Sequence, residues 1–292
     1  MIPVAIIGAG PAGLMAALQL RRYEIDILLV EADRVGGLLY NANRVENYPG
    51  FPGGAPGVEL VRRFEAQVRA AGIEVTRDEV TELDYTGESF TVRTQRHVWN
   101  ARRAVVASGT KPIPFPAGLV RADTRSHVYY EVAPLLGISG ISVAIVGAGD
   151  AAFDYALNLA QRNEVTILNR TDNLRCLPLL WQRACESEHI TYRSNTALSA
   201  LQATPQGLRL NCRDLHGENE LEIDYLIGAL GRKPRVEFLT PRLLEQAERL
   251  ETSGTLYFIG DVCRGRYRQT AIAVGDGMLA AMKIVQAMQE ER

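Results

Sequence analysis

Val4-Ala5-Ile6-Ile7-Gly8-Ala9-Gly10-Pro11-Ala12-Gly13 opens the chain, and Ser142-Val143-Ala144-Ile145-Val146-Gly147-Ala148-Gly149-Asp150-Ala151-Ala152 repeats its plan near the middle. Each is an apolar, β-branched run followed by a glycine-rich turn and a helix-like stretch. One G-x-G-x-x-G is a weak signal; two, each between a strand and a helix, are a strong one. Glycines there allow a tight turn and let the backbone come close to a pyrophosphate. The helix N-terminus behind them offers unpaired N–H groups and a dipole favourable to an anion. The two stretches predict a protein that holds two dinucleotides, the layout needed to pass electrons from one to the other.

Working outward, the first unit reads as strand Val4–Ile7, a helix from about Ala12 to Arg22 and strand Ile25–Val30. The uninterrupted apolar strands suit a parallel sheet covered on both faces. The stretch Arg34–Gly57, rich in Gly, Pro and Asn, reads as an ordered loop. A helix over Val58–Ala71 carries Val58, Val61, Phe64 and Val68 on one face. Strands follow near Ile73–Val75, Val80–Tyr85, Ser89–Thr94 and Arg103–Ala107.

Pro112, Pro114 and Pro116 mark a crossing between domains. A second βαβ unit spans Ser142–Leu168, with its helix near Ala151–Arg162. Leu226–Leu230 is a buried strand, and Gly231-Arg232-Lys233-Pro234 is the return crossing. A last strand, Leu256–Ile259, leads through Gly260-Asp261 into a helix from about Thr270 to Met288. The fold class is therefore α/β, with two Rossmann-like, doubly wound, three-layer domains, the second inserted into the first. Residues 1–114 and 235–292 make the first expected nucleotide-binding domain, and 115–234 the second.

The residue ending the second strand of each unit indicates which dinucleotide it takes. Glu31 follows the first fingerprint by about twenty residues, where a carboxylate hydrogen-bonds ribose hydroxyls and repels a 2′-phosphate. That site suits FAD or NAD; the competing reading is a glycine turn that only packs helix on strand. The second unit ends Leu168-Asn169-Arg170, with no acid, and Arg175 follows. Guanidinium groups suit a 2′-phosphate, favouring NADP over NAD, unless both arginines are simply solvated surface residues.

These residues resemble the low-molecular-weight thioredoxin reductases and the ferredoxin–NADP reductases built on the same scaffold. The resemblance spans nearly the whole chain. Val45-Glu46-Asn47-Tyr48-Pro49-Gly50, after Gly36-Gly37-Leu38, is similar to the flavin-side loop. Ala107-Ser108-Gly109-Thr110 resembles the motif that closes the first nucleotide site. Gly260-Asp261 with Tyr267-Arg268-Gln269-Thr270-Ala271 resembles the C-terminal FAD motif. By that resemblance Asp261 holds the ribityl or pyrophosphate region, and Arg268, Gln269 and Thr270 approach the isoalloxazine ring. The helix behind them carries Ala273, Gly275, Gly277, Ala280 and Ala281, small enough for close packing.

The resemblance thus implies an FAD-dependent, pyridine nucleotide-disulfide oxidoreductase-like reductase that also uses NADP (or NAD) and forms a homodimer. It implies FAD contacts at Gly8, Gly10, Pro11, Ala12, Gly13, Glu31, Gly37, Leu38, Asn47, Gly109, Asp261, Arg268, Gln269 and Thr270. The second nucleotide falls to Gly147, Gly149, Asp150, Ala151, Ala152, Arg170 and Arg175. Relative motion of the domains, hinged at Lys111–Pro116 and Gly231–Pro234, would let nicotinamide and acceptor take turns at the flavin.

Two departures stand out. Where thioredoxin reductases carry Cys-x-x-Cys, this chain reads Ser126-His127-Val128-Tyr129-Tyr130-Glu131-Val132. The His-Arg-Arg run for NADPH appears as Asn169-Arg170-Thr171. Val128-Tyr129-Tyr130 is closer to the ferredoxin–NADP reductases. Electrons are then expected to leave the flavin directly for an external acceptor: a ferredoxin-like iron–sulfur protein, a quinone or an outside disulfide. Two other readings compete, a flavoprotein that takes electrons from a protein donor without NAD(P)H, and a non-catalytic flavin-binding protein.

The remaining residues carry blander expectations. Cys176, Cys185, Cys212 and Cys263 show no framework or metal spacing, and Cys263 reads as a packed loop cysteine. His97, His127, His189 and His216 are dispersed, so no metal site is expected. Tyr129 and Tyr130 pack on the flavin or fill the domain interface. The net charge of −2, with no basic block, argues against a nucleic-acid partner. No secretory signal is read at the N-terminus and no apolar run approaches a membrane span, so the expected location is cytoplasmic.

Overall fold

The structure, a computed structural model, describes Met1–Glu291. It divides into two compact units, one of Met1–Tyr40, Val45–Lys111 and Lys233–Arg292, the other of Asn41–Arg44 and Pro112–Arg232. The crossings thus lie two or three residues from the positions the prolines suggested. The short segment Asn41–Arg44, inside the Arg34–Gly57 loop, groups with the second unit. Its reason is hydrogen bonding: Asn41 Oδ1 accepts from the Ala133 N–H at 3.0 Å, and the Asn43 N–H donates to Asp154 at 2.9 Å.

The first unit starts with β1 (Ile2–Ile7), α1 (Pro11–Arg22) and β2 (Ile27–Glu31), then α2 (Gly57–Ala70) and β3 (Val75–Arg77). A meander of β4 (Val80–Tyr85), β5 (Phe90–Thr94) and β6 (Val98–Val106) follows. The crossing is β7 (Thr110–Pro112). Within the second unit come β8 (Val128–Tyr129), β9 (Ser142–Val146), α3 (Asp150–Leu159) and β10 (Glu164–Leu168). They are followed by α4 (Pro178–Cys185) and β11 (Ile190–Arg193). A three-stranded antiparallel sheet, β12 (Ala197–Ala203), β13 (Leu208–Asp214) and β14 (Gly217–Ile223), precedes β15 (Tyr225–Gly228). The return crossing is β16 (Arg232–Pro234), paired with β7. The chain then completes the first unit with α5 (Pro241–Thr252), β17 (Leu256–Phe258) and α6 (Thr270–Glu290).

Chain order makes the inserted topology concrete. In the first unit the sheet order is β3-β2-β1-β6-β5-β4, and β17 pairs in parallel with β6. β6 is long enough to serve two neighbours besides β1: its start pairs with β5 antiparallel and its end with β17 in parallel. Val4, Ala5, Ile6 and Val105 are fully buried, as a strand covered on both faces requires. In the second unit β11-β10-β9-β15-β8 is parallel throughout. The β12–β14 sheet, α4 and α5 are elements the sequence reading did not place. None of them carries a glycine fingerprint of the kind that marks the two βαβ units.

α6 is the longest helix described. Its 21 residues and a mean hydropathy of 1.3 over its most apolar stretch meet the length and composition of a membrane-crossing helix, although Asp276 and Lys283 interrupt the apolar run. In this fold it packs on α1 through small residues. A Cβ at Gly277 would lie 2.2 Å from the Ala12 carbonyl oxygen, so only glycine lets the two helices meet here. Ala273, Ala280, Ala281, Ile284 and Val285 join the same core.

Candidate dinucleotide sites

Two close approaches shape the first glycine loop. Gly8 adopts φ +106°, and a Cβ there would sit 2.4 Å from the Ala107 carbonyl oxygen. At Gly13 a Cβ would lie 1.9 Å from the Gly8 carbonyl oxygen, which forces glycine where α1 enters the turn. Gly10 differs: nothing lies within 4 Å of its missing Cβ. That open side is the face a ligand backbone would approach. Gly10 is also the N-cap of α1 with no side-chain cap, Pro11 follows, and no acid lies in the first turn. The first N–H groups of α1 are therefore available to an anion.

Glu31 closes the loop from the end of β2. Its Oε2 accepts from the Ala9 N–H at 2.7 Å and its Oε1 from the Asp33 N–H at 2.9 Å. A carboxylate offers about four lone-pair sites, so two remain for ribose hydroxyls. Gly37, at φ +54°, would bring a Cβ 3.5 Å from Gly10 Cα, and Leu38 lies half-buried in the same 3-10 turn, Gly37–Asn41. Gly109, at φ +65°, has open space around it, and its carbonyl accepts from the Arg235 N–H at 3.1 Å.

The C-terminal motif comes to the same helix. Gly260, at φ +72°, has room for no Cβ because Ala12 Cβ would lie 2.8 Å away. Asp261 follows it, half-exposed, in the turn Gly260–Val262. Asn47 Nδ2 donates to Gln269 Oε1 at 2.9 Å, joining the flavin-side loop to the N-cap of α6, where Thr270 begins the helix and Arg268 lies half-buried. Asp276, missed by sequence reading, holds this turn: its buried carboxylate accepts from the Gly260 N–H at 3.0 Å and from Arg264 Nε at 2.8 Å. An acid between Gly275 and Gly277 in an apolar helix was the available signal.

A cleft beside this loop is lined by Gly8, Glu31, Asp78, Glu79, Ser108 and Arg235, among others. Burial opposes ionisation of Asp78, but hydrogen bonds from Thr94, Arg96, His97 and the Glu79 N–H outweigh it and hold the carboxyl at about 2. The open glycine, the paired carboxylate and the uncapped helix together fit a dinucleotide.

The second loop repeats the geometry with different supports. Gly147 lies at φ +136°, with the Ala229 carbonyl oxygen 2.4 Å from a would-be Cβ, and Gly149 is open. Ala152, in the third position, is fully buried, whereas Ala151 is exposed. No side chain caps α3 at Gly149, but Asp150 places an acid in its first turn. Asp150 Oδ1 accepts from the Leu177 N–H at 2.8 Å, and the Arg175 N–H donates to the Ala148 carbonyl at 3.1 Å. Asn169, at the acid's position, is buried and bound to its own loop: Nδ2 donates to the Asn173 carbonyl and to the Tyr192 hydroxyl. Arg170 and Arg175 are exposed beside it. This cradle also fits a dinucleotide, with guanidinium rather than carboxylate chemistry at its edge.

Other sequence readings resolve as follows. Tyr130 and Tyr129 pack within the second unit, on Phe115 and Tyr225, and the Tyr130 hydroxyl accepts from the Phe115 N–H. His127 bonds the Asp224 carbonyl through Nδ1 and stacks on Tyr225. Glu131, in the cysteine-free stretch Ser126–Val132, accepts from Arg232 at 2.9 Å and from Asn41 Nδ2 at 3.2 Å. Cys263 is an exposed residue whose thiol donates to the Phe258 and Gly260 carbonyls, and burial pushes its pKa up. All four cysteines are free, and no metal-holding group of His, Cys, Asp or Glu exists among the described residues.

Comparison with known proteins agrees with this geometry. The family model of the pyridine nucleotide-disulphide oxidoreductases matches residues 2–277. Thioredoxin reductase of Streptomyces coelicolor is 31% identical over 296 residues, covering 96% of this chain and 91% of that protein. Among solved structures, Lactococcus lactis thioredoxin reductase in its FR conformation superposes with a TM-score of 0.87 at 24% identity, over 99% of this chain and all of that one. The T. acidophilum thioredoxin reductase gives 0.84 at 22%, over 98% of each chain. The chain belongs to the pyridine nucleotide-disulphide oxidoreductase family: it is a thioredoxin reductase-like flavoprotein oxidoreductase, of a family that works with FAD and NADPH.

Proposed function

We propose that this chain is an FAD-dependent NAD(P)H oxidoreductase that delivers electrons to an external acceptor without an internal dithiol. What carries the reading is the coexistence of two open glycine cradles with a cysteine set that contains no Cys-x-x-Cys pair. FAD, when bound, supplies the hydride chemistry, accepting from a nicotinamide and releasing electrons onward.

The protein's part is placement. Gly8, Gly10 and Gly13, with the N-terminus of α1, receive the pyrophosphate of FAD, and Glu31 takes ribose hydroxyls. Asn47, Gly109, Asp261, Arg268, Gln269 and Thr270 complete that site within residues 1–114 and 235–292. Gly147, Gly149, Asp150, Ala151 and Ala152 receive the second dinucleotide within 115–234. Arg170 and Arg175 select the 2′-phosphate of NADPH. No side chain needs to act as acid, base or nucleophile in the first half-reaction.

The acceptor is an iron–sulfur protein, a quinone or a disulfide carried by another molecule, and the working protein is a homodimer. The similarity to thioredoxin reductases makes an outside disulfide the first acceptor to try. Anaerobic titration with NADPH tests the central point. A protein without a redox-active dithiol takes up one equivalent of NADPH per FAD; uptake of two would place a reducible disulfide inside the chain and overturn the proposal.

A further inference from the structure

We propose that Arg235 and Glu79 form an ionic clasp at the cleft beside the first glycine loop, and that this clasp sets how long the dinucleotide stays bound. The inference rests on the reading of that site as the FAD site.

Both residues line the cleft that also contains Gly8, Glu31 and Ser108. Arg235 follows the return crossing, and its main chain is pinned on both sides. Its N–H donates to the Gly109 carbonyl at 3.1 Å, and its carbonyl accepts from Ser108 Oγ at 2.6 Å. The guanidinium then reaches Glu79 Oε1 at 2.7 Å. Glu79 is pinned in turn, its N–H donating to Asp78 Oδ1 at 2.9 Å. Two segments far apart in sequence are thus joined by side chains across a feature both of them line.

Stability alone gives this pair little reason to exist. Its side chains are 45% and 59% exposed, and such pairs contribute little to folding. Fixed main-chain anchors lower the entropy cost of holding the pair, and keep it in the lining of the cleft beside the first glycine loop. Arginine also offers a planar cation that stacks on an aromatic base or pairs with a phosphate. The anchors are main-chain atoms and the Ser108 hydroxyl, so the side chain can be changed without breaking them.

The test is release of FAD, followed by recovery of flavin fluorescence after dilution at low and high salt, for the wild type, Arg235→Ala, Arg235→Lys, Glu79→Gln and the double variant Arg235→Ala with Glu79→Gln. Arg235→Ala is expected to release FAD about fivefold faster at low salt and to lose most of the wild-type salt dependence, the scale of an exposed ion pair with a stacking contribution. Glu79→Gln should move the same way, Arg235→Lys should restore part of the retention, and the double variant should be no faster than the faster single one. If Arg235→Ala does not fold, Glu79→Gln carries the same comparison. Release rates equal to wild type across salt, with FAD bound in all, would overturn the clasp alone. A wild type that holds no FAD would overturn the cofactor reading, and the clasp with it.

Discussion

The two glycine loops are alike where the chain turns and different where a ligand is chosen. In both, the first glycine brings a would-be Cβ to 2.4 Å from a carbonyl oxygen on a neighbouring strand end, and the second faces open space. Beyond the turn they diverge. Glu31 reaches back to the first loop and keeps carboxylate capacity for a ribose. Asn169, its counterpart, spends its amide on Asn173, Thr171 and Tyr192. Asp150 adds a negative charge at the N-terminus of α3, whereas α1 has no acid there. Turn geometry is therefore set by backbone sterics common to both, while the strand ends differ in the charge and hydrogen bonding of one or two side chains. A positive helix terminus left bare suits a permanently held anion, and one partly satisfied by its own acid suits a nucleotide that comes and goes.

The sharpest way to break this comparison lies in the third loop position. Gly13→Ala puts a Cβ 1.9 Å from main-chain oxygen and is expected to cost about 3 kcal/mol or more, with loss of bound flavin. The reciprocal Ala152→Gly should cost only about 1–2 kcal/mol, from helix propensity and a lost buried methyl. Thermal unfolding of both variants checks the asymmetry; equal losses would mean that the two helix entries are equivalent.

Ligand preference is tested next. Arg170→Ala should raise the KM for NADPH by about tenfold and leave that for NADH nearly unchanged, as for one lost charge-assisted hydrogen bond. Steady-state kinetics with a common artificial acceptor read this, and equal effects on both nucleotides would show that Arg170 does not read the 2′-phosphate.

A pH effect belongs to the first unit. Hydrogen bonds hold Asp78 at about 2, below the roughly 3.9 of an unfolded aspartate. Its contribution to stability is complete above the unfolded value and is lost as pH falls through the folded one. The stability difference between wild type and Asp78→Asn, measured by denaturant unfolding, should shrink steadily from pH 4 to pH 2. A difference independent of pH would remove Asp78 from that account.

The smallest effect is expected at Cys263. Its thiol donates to main-chain carbonyls and burial raises its pKa, so Cys263→Ser should leave flavin reduction by NADPH unchanged. A slowed reduction would reveal a redox part for this thiol.

How legible the sites were depended on what kind of signal each residue emits. The βαβ cores could be read because apolar runs and glycines announce themselves locally, and both fingerprints fall at strand–helix junctions as expected. Asp276 was hidden because its partners, Gly260 and Arg264, lie 16 and 12 residues away and its helix otherwise reads as apolar. Arg235 and Glu79, 156 residues apart, meet only because the inserted topology returns the chain to the first unit. Tyr129 and Tyr130 were read from proximity in sequence, and their ring partners Tyr225 and Phe115 carry no local sign of that packing.

The central claim is that both cradles work in one reaction, and anaerobic stopped-flow of the FAD-loaded protein tests it most directly. Mixing with NADPH should bleach the flavin absorbance rapidly, and NADH should do so more slowly. An unbleached flavin with both nucleotides would contradict the account and leave the second cradle without a part in the electron path.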